Sequence, residues 1–197
     1  MKVVGISGSP RREGNTETLL KEFLRGAEEK GAETLLFILP EMNIAPCQHC
    51  DGCLAEGKCV VEDDMWLIYP ELETLDAVAL ASPIQFYGLT ADAKAMIDRC
   101  QAFWARKYIL KRPLSEQPRK GIFISVGGTK FRDLFEPAKA TVKIFFRTID
   151  VEYWGELLYR GVDEKGAIRQ HPTALKEAFL LGKRLVEEAV ILAEKGG

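Results

Sequence analysis

The sequence predicts an α/β fold built around one parallel β-sheet with helices on both faces. Short, β-rich apolar runs alternate with longer segments of helical period, which is typical of a chain that passes from strand to helix to parallel strand. Five such strands are predicted, and five parallel strands of this length match the doubly wound order 2-1-3-4-5. At 197 residues the chain suits one domain, predicted to span residues 1–197.

Each element follows from the spacing of apolar residues and from local stop signals. Strands are predicted at residues 2–7, 33–39, 76–82, 120–126 and 151–159. Helices are predicted at 15–30, 64–74, 91–105, 136–149 and 173–195. The first helix is predicted to begin with Asn15 as its N-cap and to stop at Gly31. In the third, Met96, Cys100 and Phe103 lie on an apolar stripe, so Cys100 is predicted to be a core residue.

Composition excludes several classes of function. The formal net charge is -2, which leaves no broad basic surface for nucleic acid. The longest apolar runs are far shorter than the roughly 20 residues that span a bilayer, and the first ten residues lack the features of a signal peptide. We therefore expect a cytoplasmic protein without membrane or nucleic-acid partners, in which clustered cysteines bind metal or do redox chemistry.

The segment "SGSPRREGNTETLL", residues 7–20, directly follows the first strand and opens a helix. Backbone N–H groups at a helix start attract anions, and this segment adds hydroxyl, amide and guanidinium groups. Five residues rather than four separate its glycines, Asn15 stands where a P-loop has lysine, and G-x-G-x-x-G is absent. A pocket for a terminal monophosphate is therefore favoured, and a helix cap followed by a solvated loop is the alternative.

Two further loops are predicted at the same edge of the sheet. The third strand runs into "SPIQFYGLTADAKAMIDR", residues 82–99, whose proline, aromatics and glycine suit a flat heterocycle. The fourth strand runs into "SVGGTKF", residues 125–131, where two glycines allow close approach of the backbone. Ligands of doubly wound sheets bind at the carboxyl ends of the strands near the switch in strand order, which here lies between the first and third strands.

These three loops closely resemble the cofactor loops of flavodoxin-like FMN flavoproteins of the NADPH-dependent FMN reductase type. With its cysteine-rich insertion at about 40–64, the chain is similar to the iron-sulfur flavoprotein branch, over about the first 130 residues. The resemblance implies that FMN phosphate is bound by Ser7, Ser9, Arg11, Asn15 and Thr16. It implies contacts to the isoalloxazine and ribityl parts from Pro83, Ile84, Gln85, Phe86, Tyr87, Gly88, Ser125, Gly127 and Gly128. Many relatives have a second aromatic where Gln85 stands, so the ring-stacking partner is open.

Four of the five cysteines lie within "CQHCDGCLAEGKC", in a segment of about 24 residues without helical or strand period. Cys47, Cys50, Cys53 and Cys59 have the spacing C-x2-C-x2-C-x5-C, which is similar to the ferredoxin run with two x2 steps. One [4Fe-4S] cluster is the leading hypothesis, and the iron-sulfur flavoprotein resemblance implies the same. Structural zinc, disulfides, a redox thiol pair and a loop that has lost its metal are the alternatives. His49 is predicted to be an exposed neighbour, not a ligand.

Charges near the cysteines and in a later segment suggest two electrostatic properties. Lys58 is the only nearby cation in sequence, and the surrounding carboxylates predict a low reduction potential for the cluster. These carboxylates belong to Asp51, Glu56, Glu62, Asp63 and Asp64. Residues 106–120 are strongly basic, and they would suit an acidic electron carrier or the phosphates of NADPH, although most such segments are simply solvated.

Together these observations predict an oxidoreductase that transfers electrons through FMN and one [4Fe-4S] cluster. A ferredoxin-like donor or NAD(P)H is expected to supply electrons, and no catalytic acid or base is required. The resemblance implies a homodimer or homotetramer in which cluster and flavin meet across an interface. The alternatives are an NAD(P)H-dependent FMN or quinone reductase with a secondary cysteine loop, and a zinc-stabilised FMN-binding sensor.

Overall fold

A computed structural model describes residues 1–196, with side chains up to residue 191. Its five strands form one sheet in the order β2-β1-β3-β4-β5 with every neighbouring pair parallel, which confirms the predicted topology. The strands are β1 Lys2–Ser7, β2 Glu33–Ile38, β3 Ala77–Ala81, β4 Lys120–Gly127 and β5 Glu152–Arg160. Ser7 is aligned with Ala81, and Ala81 with Ile124. The exits of β1, β3 and β4 therefore meet at one edge.

Helices cover both faces of the sheet. They are α1 Asn15–Glu29, α2 Met65–Thr74, α3 Ala91–Arg99, α4 Gln101–Trp104, α5 Glu136–Thr148 and α6 Ala174–Gly196, with a π turn at Ala105–Ile109. In β3, Ala77, Ala79 and Ala81 face the layer of α1 and α6, whereas Val78 and Leu80 face α2, α3 and α5. Within the described part of the chain, no helix is both long and apolar enough to cross a membrane.

The helix predicted at 91–105 is interrupted at Cys100, so this part of the prediction is wrong. The carbonyl of Arg99 accepts a hydrogen bond from Tyr69 Oη at 2.9 Å, and Phe103 N–H instead bonds the carbonyl of Cys100. A side-chain donor that takes a helical carbonyl is a recognised cause of such breaks. Cys100 itself is 2% exposed, which confirms that it belongs to the core.

Helices α1 and α6 cross at their closest point through glycines. A Cβ added to Gly182 would lie 2.0 Å from the carbonyl oxygen of Phe23, and one added to Gly26 would lie 2.0 Å from that of Phe179. No side chain fits at such distances, so both glycines are required for the backbones to approach.

We expect Gly182→Ala to lower the free energy of unfolding, even though alanine stabilises a helix by about 1 kcal/mol relative to glycine. The helices must separate to admit the methyl group, and overpacking of this kind costs about 1–3 kcal/mol. Urea unfolding would measure the change. Leu180→Ala, exposed on the same helix, should alter stability by less than about 0.5 kcal/mol. A more stable Gly182→Ala variant would contradict the close packing.

Candidate functional site

The loops that leave β1, β3 and β4 line one cleft of about 200 Å³ at the carboxyl edge of the sheet. This is the edge predicted for a ligand of a doubly wound fold. The predicted residues that line it are Ser9, Arg11, Asn15, Thr16, Pro83, Ile84, Gln85, Gly127 and Gly128. The remaining five lie beneath the cleft or in a neighbouring turn: Ser7, Phe86, Tyr87, Gly88 and Ser125.

The β1 end of the cleft has the features of an anion pocket. Thr16 lies in the first turn of α1, where backbone N–H groups have no partner within the helix. Ser7 is completely buried, and its Oγ has no hydrogen-bond partner among the described residues. A buried hydroxyl without a partner is costly, so a ligand oxygen that reached it would relieve that cost. The pocket therefore suits a phosphate group.

Asn15 makes two contacts that the sequence did not predict. The N-cap of α1 is Gly14, so the expectation that Asn15 caps the helix is wrong. Its Nδ2 donates to the carbonyl of Glu164 at 2.9 Å, and its Oδ1 accepts from Ile168 N–H at 3.2 Å. Because the amide can both donate and accept, it ties the segment after β5 to the start of α1.

The segment after β5 is a fourth wall of the cleft that the sequence analysis missed. Asp163 and Lys165 line the cleft, and Arg11 donates to the carbonyl of Asp163 at 2.8 Å. The signal was present in "GVDEKG", where both flanking glycines, Gly161 and Gly166, have positive φ. A glycine-bounded turn at the exit of a parallel strand belongs at the ligand edge.

Glu17 stabilises the loop of residues 8–14 between β1 and α1, which we call the anion loop. Its side chain is fully buried, contacts Lys21 Nζ at 2.7 Å and accepts from Glu13 N–H at 3.0 Å. Burial by itself would raise the pKa of Glu17, but the bonds from Lys21 and Glu13, with the charge of Arg12, hold it below its usual value. Glu13 has a φ of 54°, which a non-glycine residue rarely adopts. The carboxylate thus stabilises a strained loop.

We expect the stability of the protein to fall as the pH drops below about 4, in part through Glu17. A carboxyl whose folded pKa is lowered stabilises the fold above its unfolded pKa of about 4.3, and this is lost as the pH falls through the folded pKa. Glu17→Gln should therefore flatten the pH dependence of the unfolding midpoint between pH 7 and 3. Glu33→Gln, exposed on β2, serves as control. Equal slopes for both variants and the wild type would contradict this role.

Beside the cleft, the chain after β3 makes a tight two-residue turn. Gln85 and Gly88 exchange both backbone hydrogen bonds, at 3.0 and 2.8 Å. The residues between them, Phe86 and Tyr87, both have positive φ, 48° and 64°. Aromatic residues rarely occupy such a turn, which normally uses Asn and Gly. Phe86 is fully exposed, and Tyr87 stacks parallel to Phe131 with ring centroids 6.3 Å apart. The turn thus presents flat apolar surface at the mouth of the cleft.

Buried hydroxyls hold the three loops together below the cleft. Ser125 Oγ donates to the carbonyl of Ser82 at 2.7 Å, and Ser82 Oγ accepts from Thr90 N–H at 3.1 Å. Thr90 Oγ1 in turn donates to the carbonyl of Gly8 at 2.6 Å. Ser125 is therefore placed as a support of the loops, with its hydroxyl engaged by the backbone.

The four loop cysteines line one small cavity of about 20 Å³. Burial raises the pKa of the Cys53 thiol, and the proximity of Cys59, Cys47 and Cys50 raises it further, because neighbouring thiolates repel. All are free thiols. Among the described residues, no three His, Cys, Asp or Glu side chains are placed to hold a metal ion. The donor set is suitable for iron and sulfide, but binding of a four-iron cube would require this loop to open.

Hydrogen bonds join the two ends of the cysteine loop, and we call these paired ends its stem. Asp64 Oδ2 accepts from Asn43 N–H at 2.6 Å and Asp63 Oδ2 from Ala45 N–H at 2.9 Å, so residues on both sides of the cysteines are joined. Gly57 has a φ of 74° and packs against Arg106. His49 is exposed at the cavity rim, as predicted.

The charge around the cysteines differs from the prediction, because Lys58 is not the only cation nearby. Arg99, which is 1% exposed, lines the same cavity and forms a buried ion pair with Asp63. Burial opposes the charge of Arg99, but Asp63, Tyr69 and the Cys59 thiol raise the pKa of the guanidinium. Sequence reasoning missed it, although Arg99 lies three residues after Met96 and so on the buried stripe of α3.

The basic stretch at 106–120 is also less uniform than predicted. Arg106 pairs with Glu73 at 3.1 Å, Lys107 with Asp150 at 2.5 Å and Lys120 with Glu188 at 3.0 Å. Arg119 is buried. The acidic partners come from distant parts of the chain, which leaves Lys111 and Arg112 as the exposed cations of this stretch.

Comparison with known proteins agrees with this architecture. A family model described as NADPH-dependent FMN reductase matches residues 1–146. A protein of Archaeoglobus fulgidus named iron-sulfur flavoprotein is 31% identical over 196 residues, 96% of each chain. Another of the same name and organism is 41% identical over 128 residues, 65% of this chain and 63% of that protein. This second match, like several others, thus spans less than two thirds of the relative.

The fold has a close structural counterpart. It is similar to the NAD(P)H:quinone oxidoreductase from Methanothermobacter marburgensis, with a TM-score of 0.72, 19% identity and coverage of 94% of this chain and 98% of that one. At that identity the likeness concerns the fold alone. Since the family model matches most of the sequence and one relative aligns almost end to end, the chain belongs to the NADPH-dependent FMN reductase family and, within it, to the iron-sulfur flavoproteins.

Proposed function

We infer that this chain is a flavoprotein oxidoreductase that carries FMN in the cleft and one [4Fe-4S] cluster in the cysteine loop, as a single cytoplasmic domain. The observation that carries this function is the meeting of all four loop cysteines around one cavity, in a chain that also forms a four-walled cleft. FMN exchanges one or two electrons and the cluster exchanges one, so together they connect a one-electron donor to an acceptor.

The residues of the cleft would bind FMN by its phosphate end. The start of α1, with Ser7, Ser9 and Thr16, supplies hydrogen bonds and a positive helix end for the phosphate. Gly127 and Gly128 line the cleft without side chains of their own, and Pro83 to Gln85 line it as well. The isoalloxazine ring would then lie toward the turn of Phe86 and Tyr87. No side chain in this arrangement has to act as acid or base.

A homodimer or homotetramer is part of the proposal. The cleft of about 200 Å³ is smaller than the roughly 300–1,000 Å³ of typical cofactor sites, so a bound FMN would extend beyond it. Phe86 is fully exposed there, and Trp104 and Ile144 are exposed beside α3 and α5. A second copy would cover such surface. Helix α3, which is about 13 Å long, lies between the two sites of one chain, and we propose that cluster and flavin of different chains meet across the interface.

A ferredoxin-like donor is proposed to dock near the cysteine loop. Arg106 packs against Gly57 of that loop, and its carbonyl accepts from Arg112 N–H at 2.9 Å. The exposed cations Lys111 and Arg112 therefore lie close to the cysteines. A positive surface there would attract an acidic one-electron carrier.

The proposed function is tested by purifying the protein without oxygen and measuring iron, acid-labile sulfide, zinc and flavin per chain. We expect about four iron and four sulfide atoms with one FMN. One zinc with little iron would instead indicate the zinc-stabilised sensor. Flavin with neither metal would leave the NAD(P)H-dependent reductase as the remaining candidate. Reduction of the loaded protein is then followed spectroscopically with reduced ferredoxin, NADPH and NADH.

The second candidate, an NAD(P)H-dependent FMN or quinone reductase, is favoured by the description of the matching family. Fast flavin reduction by NADPH without any role for the cysteines would support it. Reduction by ferredoxin that is lost when Lys111 and Arg112 are both changed to Glu, while dithionite still reduces the protein, would support the ferredoxin route. The two outcomes separate the candidates.

A further inference from the structure

Arg99 holds together the two sides of the cysteine loop. Its Nη1 donates to the carbonyl of Ala45 at 2.9 Å and its Nη2 to the carbonyl of Val61 at 3.0 Å. These carbonyls lie just before the first and just after the last of the four clustered cysteines. Because guanidinium donors have fixed geometry, one side chain sets the separation of the two sides of the stem.

The ion pair of Arg99 is oriented with respect to the cysteines. The Asp63 carboxylate accepts hydrogen bonds from both Nη atoms of Arg99. It also accepts from the backbone N–H groups of Ala45 and Met65, at 2.9 and 3.0 Å. Arg99 lines the cavity of the cysteines whereas Asp63 does not. In addition, the buried Nε of Arg99 has no hydrogen-bond partner among the described residues. The positive end of the buried Arg99–Asp63 ion pair therefore faces the cysteine sulfur atoms, and the Nε–H donor of Arg99 has no acceptor there within the described part of the chain.

Helix α3 connects this clamp to the cleft. Its N-cap is Thr90, whose Oγ1 donates to the carbonyl of Gly8, and its last residue is Arg99. A Cβ on Gly8 would lie 2.7 Å from Ala93 Cβ, so the start of the helix packs tightly on the anion loop between β1 and α1. The position of the cysteine loop is thus set relative to the cleft by one rigid element of nine residues.

We propose that Arg99 is a positioning residue that orders the cysteine loop and raises the reduction potential of the cluster bound there. This inference rests on the proposed function. A buried cation beside the thiolates favours the added negative charge of the reduced cluster, and because Arg99 is only 1% exposed, bulk solvent screens its charge little. It opposes the effect of the surrounding carboxylates, from which the sequence alone predicted a low potential.

Redox titration of the loaded protein tests the electrostatic part. Arg99→Met should make the cluster harder to reduce by about tenfold in the reduction equilibrium, equal to about 59 mV for one electron. Asp63→Asn should shift the potential in the opposite direction, because it leaves the cation uncompensated. Arg99→Lys keeps the positive charge but lacks the planar set of guanidinium donors, so its reduction potential should lie between those of the wild type and Arg99→Met. Lys58→Gln, an equal loss of charge at an exposed site next to Cys59, should shift it much less.

The ordering part is measured on the metal-free chain by the rate at which the loop cysteines react with a small alkylating reagent. Arg99→Met should react faster than wild type, and Lys58→Gln should not. An unshifted potential in Arg99→Met, or shifts of the same sign in Arg99→Met and Asp63→Asn, would overturn the inference. Wild-type protein without iron and sulfide would overturn the proposed cluster first, and that result is obtained before any variant is made.

Discussion

Replacing Cys53 by serine is expected to remove iron and acid-labile sulfide from the protein while FMN stays at the wild-type level. A serine hydroxyl does not ionise near neutral pH and is a hard ligand, whereas iron in such clusters is held by soft thiolates. Even loss of a group that orients a ligand weakens metal sites by about 10- to 100-fold, so loss of the ligand should lower the iron content by about tenfold or more.

Flavin should be retained in this variant because the cleft and the cysteine cavity share no lining residue among those described. Cys100→Ala is the matched control: it also removes a sulfur atom, but from the core between α3 and α4. Iron, sulfide and FMN are counted in both variants after anaerobic purification. Full iron in Cys53→Ser, or an equal loss in Cys100→Ala, would show that Cys53 is not a ligand.

Ser9→Asp is expected to weaken FMN binding by about 10- to 100-fold, which corresponds to about 1.4–2.8 kcal/mol. Ser9 is 3% exposed and lines the phosphate end of the cleft. Its Oγ accepts from Arg11 N–H at 3.3 Å, a contact that an aspartate oxygen can also make, and it donates to the Arg11 carbonyl at 3.2 Å, a contact that is lost in both Ser9→Asp and Ser9→Ala. The added carboxylate would repel the phosphate in a site shielded from solvent.

Riboflavin, which lacks the phosphate, separates this repulsion from general damage to the site. Its affinity should change far less than that of FMN, and Ser9→Ala should weaken FMN binding less than Ser9→Asp does. Titration of flavin fluorescence with the metal-free chain gives both affinities. Equal weakening of FMN and riboflavin would indicate that the phosphate does not bind beside Ser9.

Much of the fold and part of the site could be predicted from local patterns. The five strands and their order follow from the alternation of short apolar runs with helical segments, and the observed bounds differ by about one residue. The three loops at the carboxyl edge were visible because their glycines, serines and proline directly follow predicted strands. In contrast, the break at Cys100 depends on Tyr69, a donor 30 residues away from Arg99, and no local pattern indicates it.

The cluster of cysteines was equally clear in the sequence, but its electrostatic surroundings were not. Counting charges along residues 45–64 gave an acidic environment with Lys58 as the only cation. The structure adds Arg99, which is 36 residues from Asp63 in the chain and is buried beside the thiols. The sign of the field at the cysteines therefore depends on a contact between elements distant in sequence.

By itself the sequence determined the α/β class, the strand order, the position of the anion loop and the set of four cysteines. These features depend on hydrophobic period, turn residues and spacing, all of which act over a few residues. Only the tertiary structure decided that Asn15 binds the segment after β5, that this segment forms the fourth wall of the cleft, and that Arg99 faces the cysteines. The physical reason is that buried polar groups must find partners wherever the folded chain brings them, and those partners lie 36 to 153 residues away.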